Sequence, residues 1–93
     1  MLTLDILEKY LLPIIAGDKT FEIRKQRDRN FYVGQHICLK HTRIESDKNR
    51  VTNTMLIIKI KYITDYTQKS DHVVFSFDVI GDVMTEVEEI YYD

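Results

Sequence analysis

Three charged side chains lie within six residues near the start of the chain, and their types suit an anionic or nucleotide-like ligand. Lys19 offers a mobile positive charge, and Arg24 offers a planar fork of hydrogen-bond donors. Glu22 lies between them and has two interpretations: it accepts hydrogen bonds from a base amino group, or it pairs with Arg24 and orders the strand. The plain alternative is an ordinary amphipathic strand whose charges are solvated.

A helix and a strand must position these residues. Gly17 is a typical helix stop, so a helix is predicted over residues 7–16. Pro13 removes a backbone hydrogen bond inside that segment, which predicts a kink or a late start of the helix. The alternation of polar and apolar residues that follows predicts a strand over residues 20–25.

The predicted strand has two different faces. Phe21 and Ile23 form its apolar face, which is expected to be buried. Glu22 and Arg24 lie on the opposite face, and Lys19 lies beside them, just before the start of the strand. We therefore predict that the three charged side chains converge on one concave surface.

A basic segment follows this strand and forms a second candidate binding surface. It contains Lys25, Arg27 and Arg29 and continues into Phe31 and Tyr32. Cations interleaved with aromatic rings suit single-stranded nucleic acid, because bases stack on the rings while cations hold the phosphates. Phe31 is expected in the core, since it precedes the turn into the next strand, whereas Tyr32 is expected to be exposed.

The residues that bind metals or act as nucleophiles are sparse. His36 and Cys38 are two apart on a predicted strand, but no second cluster completes a set of four metal ligands. A nucleophilic Cys38 would need an activating base and an oxyanion site, and nothing in the sequence marks one. We expect Cys38 to be a small core residue, and we expect neither a metal nor a cofactor.

Composition indicates one globular domain over residues 1–93. The lone cysteine fits a reducing compartment, and no apolar run approaches the length of a membrane span, so a cytoplasmic protein without membrane contact is expected. We also expect a monomer. The net charge of −2 argues against strong non-specific binding to nucleic acid and favours a small ligand or a short single strand.

The charge is unevenly distributed along the chain. Residues 82–93 carry five acidic residues and no Lys or Arg, which leaves 13 basic and 10 acidic residues, a balance of +3, in residues 1–81. The acidic tail is interpreted either as a solvated helix or loose end, or as a segment that folds over the basic face and competes with an anionic ligand. In the second case Ile90, Tyr91 and Tyr92 would anchor it.

Alternation of apolar residues predicts about five short strands, joined mostly by links too short for a crossover helix. One helix is predicted between the first two strands, so the expected fold class is α+β with a small mixed or antiparallel β-barrel. The predicted strands cover residues 2–6, 20–25, 36–41, 52–62 and 73–80.

The pattern G-x-K-x-x-x-x-R, formed by Gly17, Lys19 and Arg24, resembles the signature of the ASCH superfamily, which has a PUA-like fold. A wider run in the same order resembles a small bacterial and phage subfamily that is catalogued as a domain of unknown function. The resemblance covers about residues 4–80. It implies a PUA-like barrel that binds RNA, or a nucleotide derived from it, in a cleft lined by Lys19, Glu22 and Arg24.

Some ASCH proteins that the chain resembles remove acyl groups from modified cytidine nucleosides. In them the signature lysine, here Lys19, works with a threonine three residues later and a distant glutamate. This chain has Glu22 at the threonine position, so the hydroxyl nucleophile is missing and the activity is not carried over. Two alternatives to binding stay open: a nucleoside hydrolase with Lys19 as base and Glu22 recruiting water, and a protein-interaction module that uses the acidic tail.

Overall fold

The computed structural model describes residues 1–26, 30–65 and 71–90. No helix in these ranges has both the length and the apolar character that a membrane span requires. A short 3-10 helix, Ser46–Lys48, joins two of the strands. In chain order the described elements are β1 (Leu2–Asp5), α1 (Glu8–Ala16), β2 (Phe21–Lys25), β3 (His36–Glu45), β4 (Arg50–Thr64) and β5 (His72–Glu89).

The five strands form one mixed sheet in the order β1-β3-β4-β5-β2. β1 pairs with β3 in parallel, and the other three ladders are antiparallel. The sheet curls into a half-barrel whose two edge strands are β1 and β2. The prediction of an α+β fold with a barrel-like sheet is confirmed at this level.

The core lies on the concave side of the curled sheet. From α1, Leu11 and Ile14 are buried, and the rings of Phe31 and Phe75 pack with their centroids 5.1 Å apart. The burial of Phe31 and of Cys38 confirms the prediction that both are core residues. The remaining members of the core cluster come mainly from the strands: Leu4, Ile6, Ile37, Leu39, Leu56, Ile58, Ile60, Val73 and Phe77.

Tyr62 and Val79, near the ends of the predicted strands 52–62 and 73–80, are exposed. Tyr62 follows a register shift in the β4–β5 ladder after Ile60, and such an irregularity changes the direction in which the strand's side chains point. Val79 lies beyond Ser76, the last β5 residue that pairs with β2. It therefore has a paired neighbour in β4 but none in β2, and its side chain is exposed. Both features arise from strand pairing, which local alternation does not reveal.

The acidic tail is not a solvated helix or loose end over residues 82–89, because these residues continue β5. They pair with the start of β4, where Glu86 lies opposite Asn53. Glu86 is ten residues beyond Ser76, the partner of Phe21 in β2, which is about 33 Å along an extended strand. The described part of the tail therefore does not fold over the Lys19 region. Tyr91 and Tyr92, its predicted anchors, lie outside the described residues.

Candidate functional site

The end of α1 fixes the backbone of Lys19. Gly17 has the left-handed conformation, with φ at 85°, and its N–H donates to the carbonyl of Ile14. The carbonyl of Pro13 accepts the N–H groups of Asp18 and Lys19 at 2.9 and 3.1 Å. The helix stop at Gly17 is as predicted, but α1 runs through Pro13 from Glu8, and the proline carbonyl helps to form the turn.

Replacing Gly17 by alanine should lower the free energy of unfolding by about 1 kcal/mol, because a side chain disfavours the left-handed conformation. The added Cβ would meet no atom within 4 Å, so backbone strain accounts for the whole effect. Urea denaturation measures it. Gly17→Asn is the matched control and should cost less, since asparagine tolerates this conformation. Equal losses in the two variants would contradict this explanation.

The two faces of β2 are the reverse of those predicted. Phe21 and Ile23 are 45% and 50% exposed, whereas Glu22 is only 4% exposed. In the ladder with β5, Glu22 lies opposite the buried Phe75, so the face that carries Glu22 and Arg24 points into the half-barrel. Glu22 and Arg24 share a face, as predicted, but that face is the inner one.

Glu22 holds two cations at the inner face. Its Oε1 accepts a hydrogen bond from Lys19 Nζ at 2.5 Å, and its Oε2 accepts one from Arg24 Nε at 3.0 Å. Arg24 Nη2 also donates to the backbone carbonyl of Asp5 at 3.0 Å. Because Asp5 ends β1 and Arg24 belongs to β2, this guanidinium connects the two edge strands of the sheet. The three predicted charged residues are therefore in direct contact.

A pocket of about 330 Å³ adjoins these ion pairs. Its wall is formed by Tyr10, Lys19, Phe21, Glu22 and Ile23. The Lys19 ammonium lies 4.5 Å from the centroid of the Tyr10 ring and 5.7 Å from that of Phe21, both within the range of cation–π attraction. The pocket thus combines one cation and one carboxylate with two half-exposed aromatic rings.

Sequence reasoning missed the apolar side of this pocket. Phe21 and Ile23 were expected on the buried face of the strand, and Tyr10 was not among the predicted site residues. Alternation shows that a strand has two faces, but the pairing of the whole sheet decides which one is buried.

The basic segment after β2, predicted as a second binding surface, is described only in part. Lys25 is exposed at the end of β2, and Arg27 and Arg29 lie outside the described residues. Tyr32 is 59% exposed, as predicted, but it is not part of the pocket wall, and its N–H donates to Gln35 Oε1 at 3.2 Å.

A second pocket, of about 390 Å³, lies where β1 leads into α1 beside β3. His41 lines it, with Nδ1 3.1 Å from the carbonyl of Ile6 and Nε2 3.6 Å from a Glu8 carboxylate oxygen. Its wall is formed by residues 5–7 and 40–42. Across residues 1–26, 30–65 and 71–90, no group of three or more histidine, cysteine or acidic residues is arranged to hold a metal ion.

The fold and the site together define a small α+β domain with a curled mixed sheet and an ion-paired aromatic pocket at its edge. The model of the family described as "Domain of unknown function (DUF3850)" matches residues 2–77, and the chain belongs to this family. Assignment to an uncharacterised domain family was predicted from the sequence and is confirmed. None of the curated proteins matches the chain.

Proposed function

We propose that the pocket beside Lys19 and Glu22 binds one nucleotide, either free or as part of a short single-stranded RNA. One observation carries this proposal: the Lys19 ammonium lies in the pocket wall together with the half-exposed rings of Tyr10 and Phe21. A base has a flat face that stacks on such rings, and its phosphate or sugar carries the acceptors that an ammonium binds.

The local charge supports an anionic ligand. Lys19 and Arg24 outnumber the single carboxylate of Glu22, so the cluster has a formal charge of +1, in a chain whose net charge is −2. A long duplex would meet the acidic residues of the chain, whereas a single nucleotide meets only the local charge.

The volume of the pocket supports a ligand of this size. About 330 Å³ is close to the lower end of the range of roughly 300–1,000 Å³ that is typical of small-molecule sites. Such a space suits one nucleotide better than several consecutive bases. In an RNA strand, one base would therefore enter the pocket while its neighbours remain outside.

Glu22 serves in this proposal to hold the two cations in place. Each of its oxygens already accepts a hydrogen bond, one from Lys19 and one from Arg24, and the side chain is buried. Buried carboxylates with both oxygens paired are typical of residues that orient other groups. Lys19 and the two rings then provide the direct contacts to the ligand, whereas Arg24 is not part of the pocket wall and acts through its hydrogen bonds to Glu22 and Asp5.

We also propose that the family is part of the ASCH superfamily and that the half-barrel is a PUA-like fold. Gly17, Lys19 and Arg24 match the three fixed positions of that signature. Their roles in this chain explain the match, since Gly17 ends the helix, Lys19 lines the pocket and Arg24 connects the edge strands.

Replacing Lys19 by methionine should weaken nucleotide binding about tenfold, because a hydrogen bond to a charged group contributes about 1.5 kcal/mol or more. Methionine keeps the apolar stem and removes the charge. Isothermal calorimetry with the four ribonucleoside monophosphates and their nucleosides measures the effect. Lys48→Met, in the exposed turn between β3 and β4, is the matched control and should bind like the unchanged chain.

Two outcomes would contradict the proposal. Release of the acyl group from an acylated cytidine, lost in Lys19→Met and kept in Lys48→Met, would indicate a nucleoside hydrolase. Equal affinity of both lysine variants for every nucleotide would show that the Lys19 pocket is not the binding site.

A further inference from the structure

Among the described residues, the second half of β5 pairs with a neighbouring strand along one of its two edges only. Pairing with β2 ends at Ser76, whereas pairing with β4 continues to Glu89. Every residue from 78 to 89 is exposed, so neither face of this segment is covered. The ladder with β4 is interrupted at residues 81–83, where Gly81 has a left-handed conformation, and it resumes at Met84. Within the described residues, the backbone groups on the β2 side of residues 84–88 therefore form an open strand edge.

The side chains of this segment are of two kinds. Beyond the interruption, Glu86 and Glu88 lie on one face of the strand, and Val87 lies on the other. β5 contains no lysine or arginine over its whole length. The half-exposed Val87 is the type of residue that a paired strand usually covers.

We propose that the free edge of β5 binds an extended, cationic segment of another protein, which adds to the sheet as a further strand. Main-chain hydrogen bonds along the edge would supply affinity, and alternate lysine or arginine side chains of the partner would meet the carboxylates of Glu86 and Glu88. This inference does not depend on the nucleotide pocket, which lies at the opposite end of β5.

Charge decides between the possible occupants of the edge. Antiparallel pairing of two copies of β5 would bring two acidic strands together, and like charges on neighbouring strands are destabilising. A nucleic acid would place its phosphates against the same carboxylates. Acidic residues on an edge strand also prevent self-association, and that effect is compatible with pairing to a strand of opposite charge.

Hydrogen exchange of the full chain with two synthetic peptides tests the proposal. The first peptide has about ten residues in which lysine alternates with threonine, and the second has the same length and charge with proline in place of threonine. The lysine–threonine peptide should slow the exchange of amides in residues 84–88. The lysine–proline peptide should not, because proline cannot donate to a ladder. Equal protection by both peptides, or protection only outside residues 84–88, would overturn the proposal.

A pair of double variants tests the role of charge. Glu86→Gln with Glu88→Gln should weaken binding of the lysine–threonine peptide about fivefold, since two exposed ion pairs are lost. Asp18→Asn with Asp47→Asn removes the same charge from exposed sites outside β5 and should leave the affinity unchanged. Equal affinities of the two double variants, or a dimer of the unmixed chain held by residues 78–89, would reject a cationic partner.

Discussion

Replacing Glu22 by alanine is expected to lower the free energy of unfolding by about 3 kcal/mol. The substitution leaves Lys19 and Arg24 without their shared carboxylate at the inner face of the half-barrel. Breaking a buried ion pair from one side typically costs about 3–5 kcal/mol. The lower end applies here, because the Lys19 and Arg24 side chains are 19% and 18% exposed and gain some hydration.

Urea denaturation measures this loss, and thermal unfolding should show a decrease in Tm of roughly 12 °C or more. Glu22→Gln should lose about half as much, because its amide oxygen still accepts one hydrogen bond. Glu88→Ala, at an exposed position of β5, is the matched control and should change stability by less than about 0.5 kcal/mol. A loss below about 1 kcal/mol in Glu22→Ala would show that the ion pairs of Glu22 contribute little to the stability of the fold.

The second large effect concerns binding. Replacing Phe21 by alanine should weaken nucleotide binding about thirtyfold, because stacking of one base on an aromatic ring contributes about 2 kcal/mol. Phe21 lies in the pocket wall and is 45% exposed, so its ring is available to a ligand and its loss should cost the fold little. Calorimetry of folded Phe21→Ala with the ribonucleotide panel measures the change.

Tyr32→Ala is the matched control for Phe21→Ala. Tyr32 is an aromatic residue that is more exposed than Phe21, but it lies outside the pocket wall, in the second surface predicted from the sequence. If the pocket binds the base, Tyr32→Ala should keep its affinity within about twofold. A greater loss in Tyr32→Ala than in Phe21→Ala would assign binding to the basic segment instead.

Local features of the site were predictable from the sequence. Gly17 indicated the end of the helix, and the alternation after it indicated a strand on which Glu22 and Arg24 share a face. These features depend on the backbone conformation of a few consecutive residues, and the types of those residues indicate that conformation well. The extent of β4 and β5 was less accessible, since each continues past the alternation that defines its core-facing part.

The long-range features could not be obtained in this way. The contact between Arg24 and the carbonyl of Asp5 joins residues that are distant in the chain and belong to opposite edges of the sheet. The burial of Glu22 follows from its position opposite Phe75, which is set by the pairing of β2 with β5. Phe21 consequently faces outward and lines the pocket, a role that depends on sheet order and not on local pattern.

The most direct test of the central claim is a titration followed in the amide NMR spectrum of the full chain. Ribonucleotides, nucleosides and a short single-stranded RNA are added up to a concentration on the order of 1 mM, which corresponds to weak specific binding. Binding at the pocket should shift the amide signals of Lys19, Phe21 and Glu22 saturably, and more strongly for nucleotides than for nucleosides. Unchanged signals for all these ligands, or shifts confined to residues 78–89, would contradict a nucleotide site at this pocket.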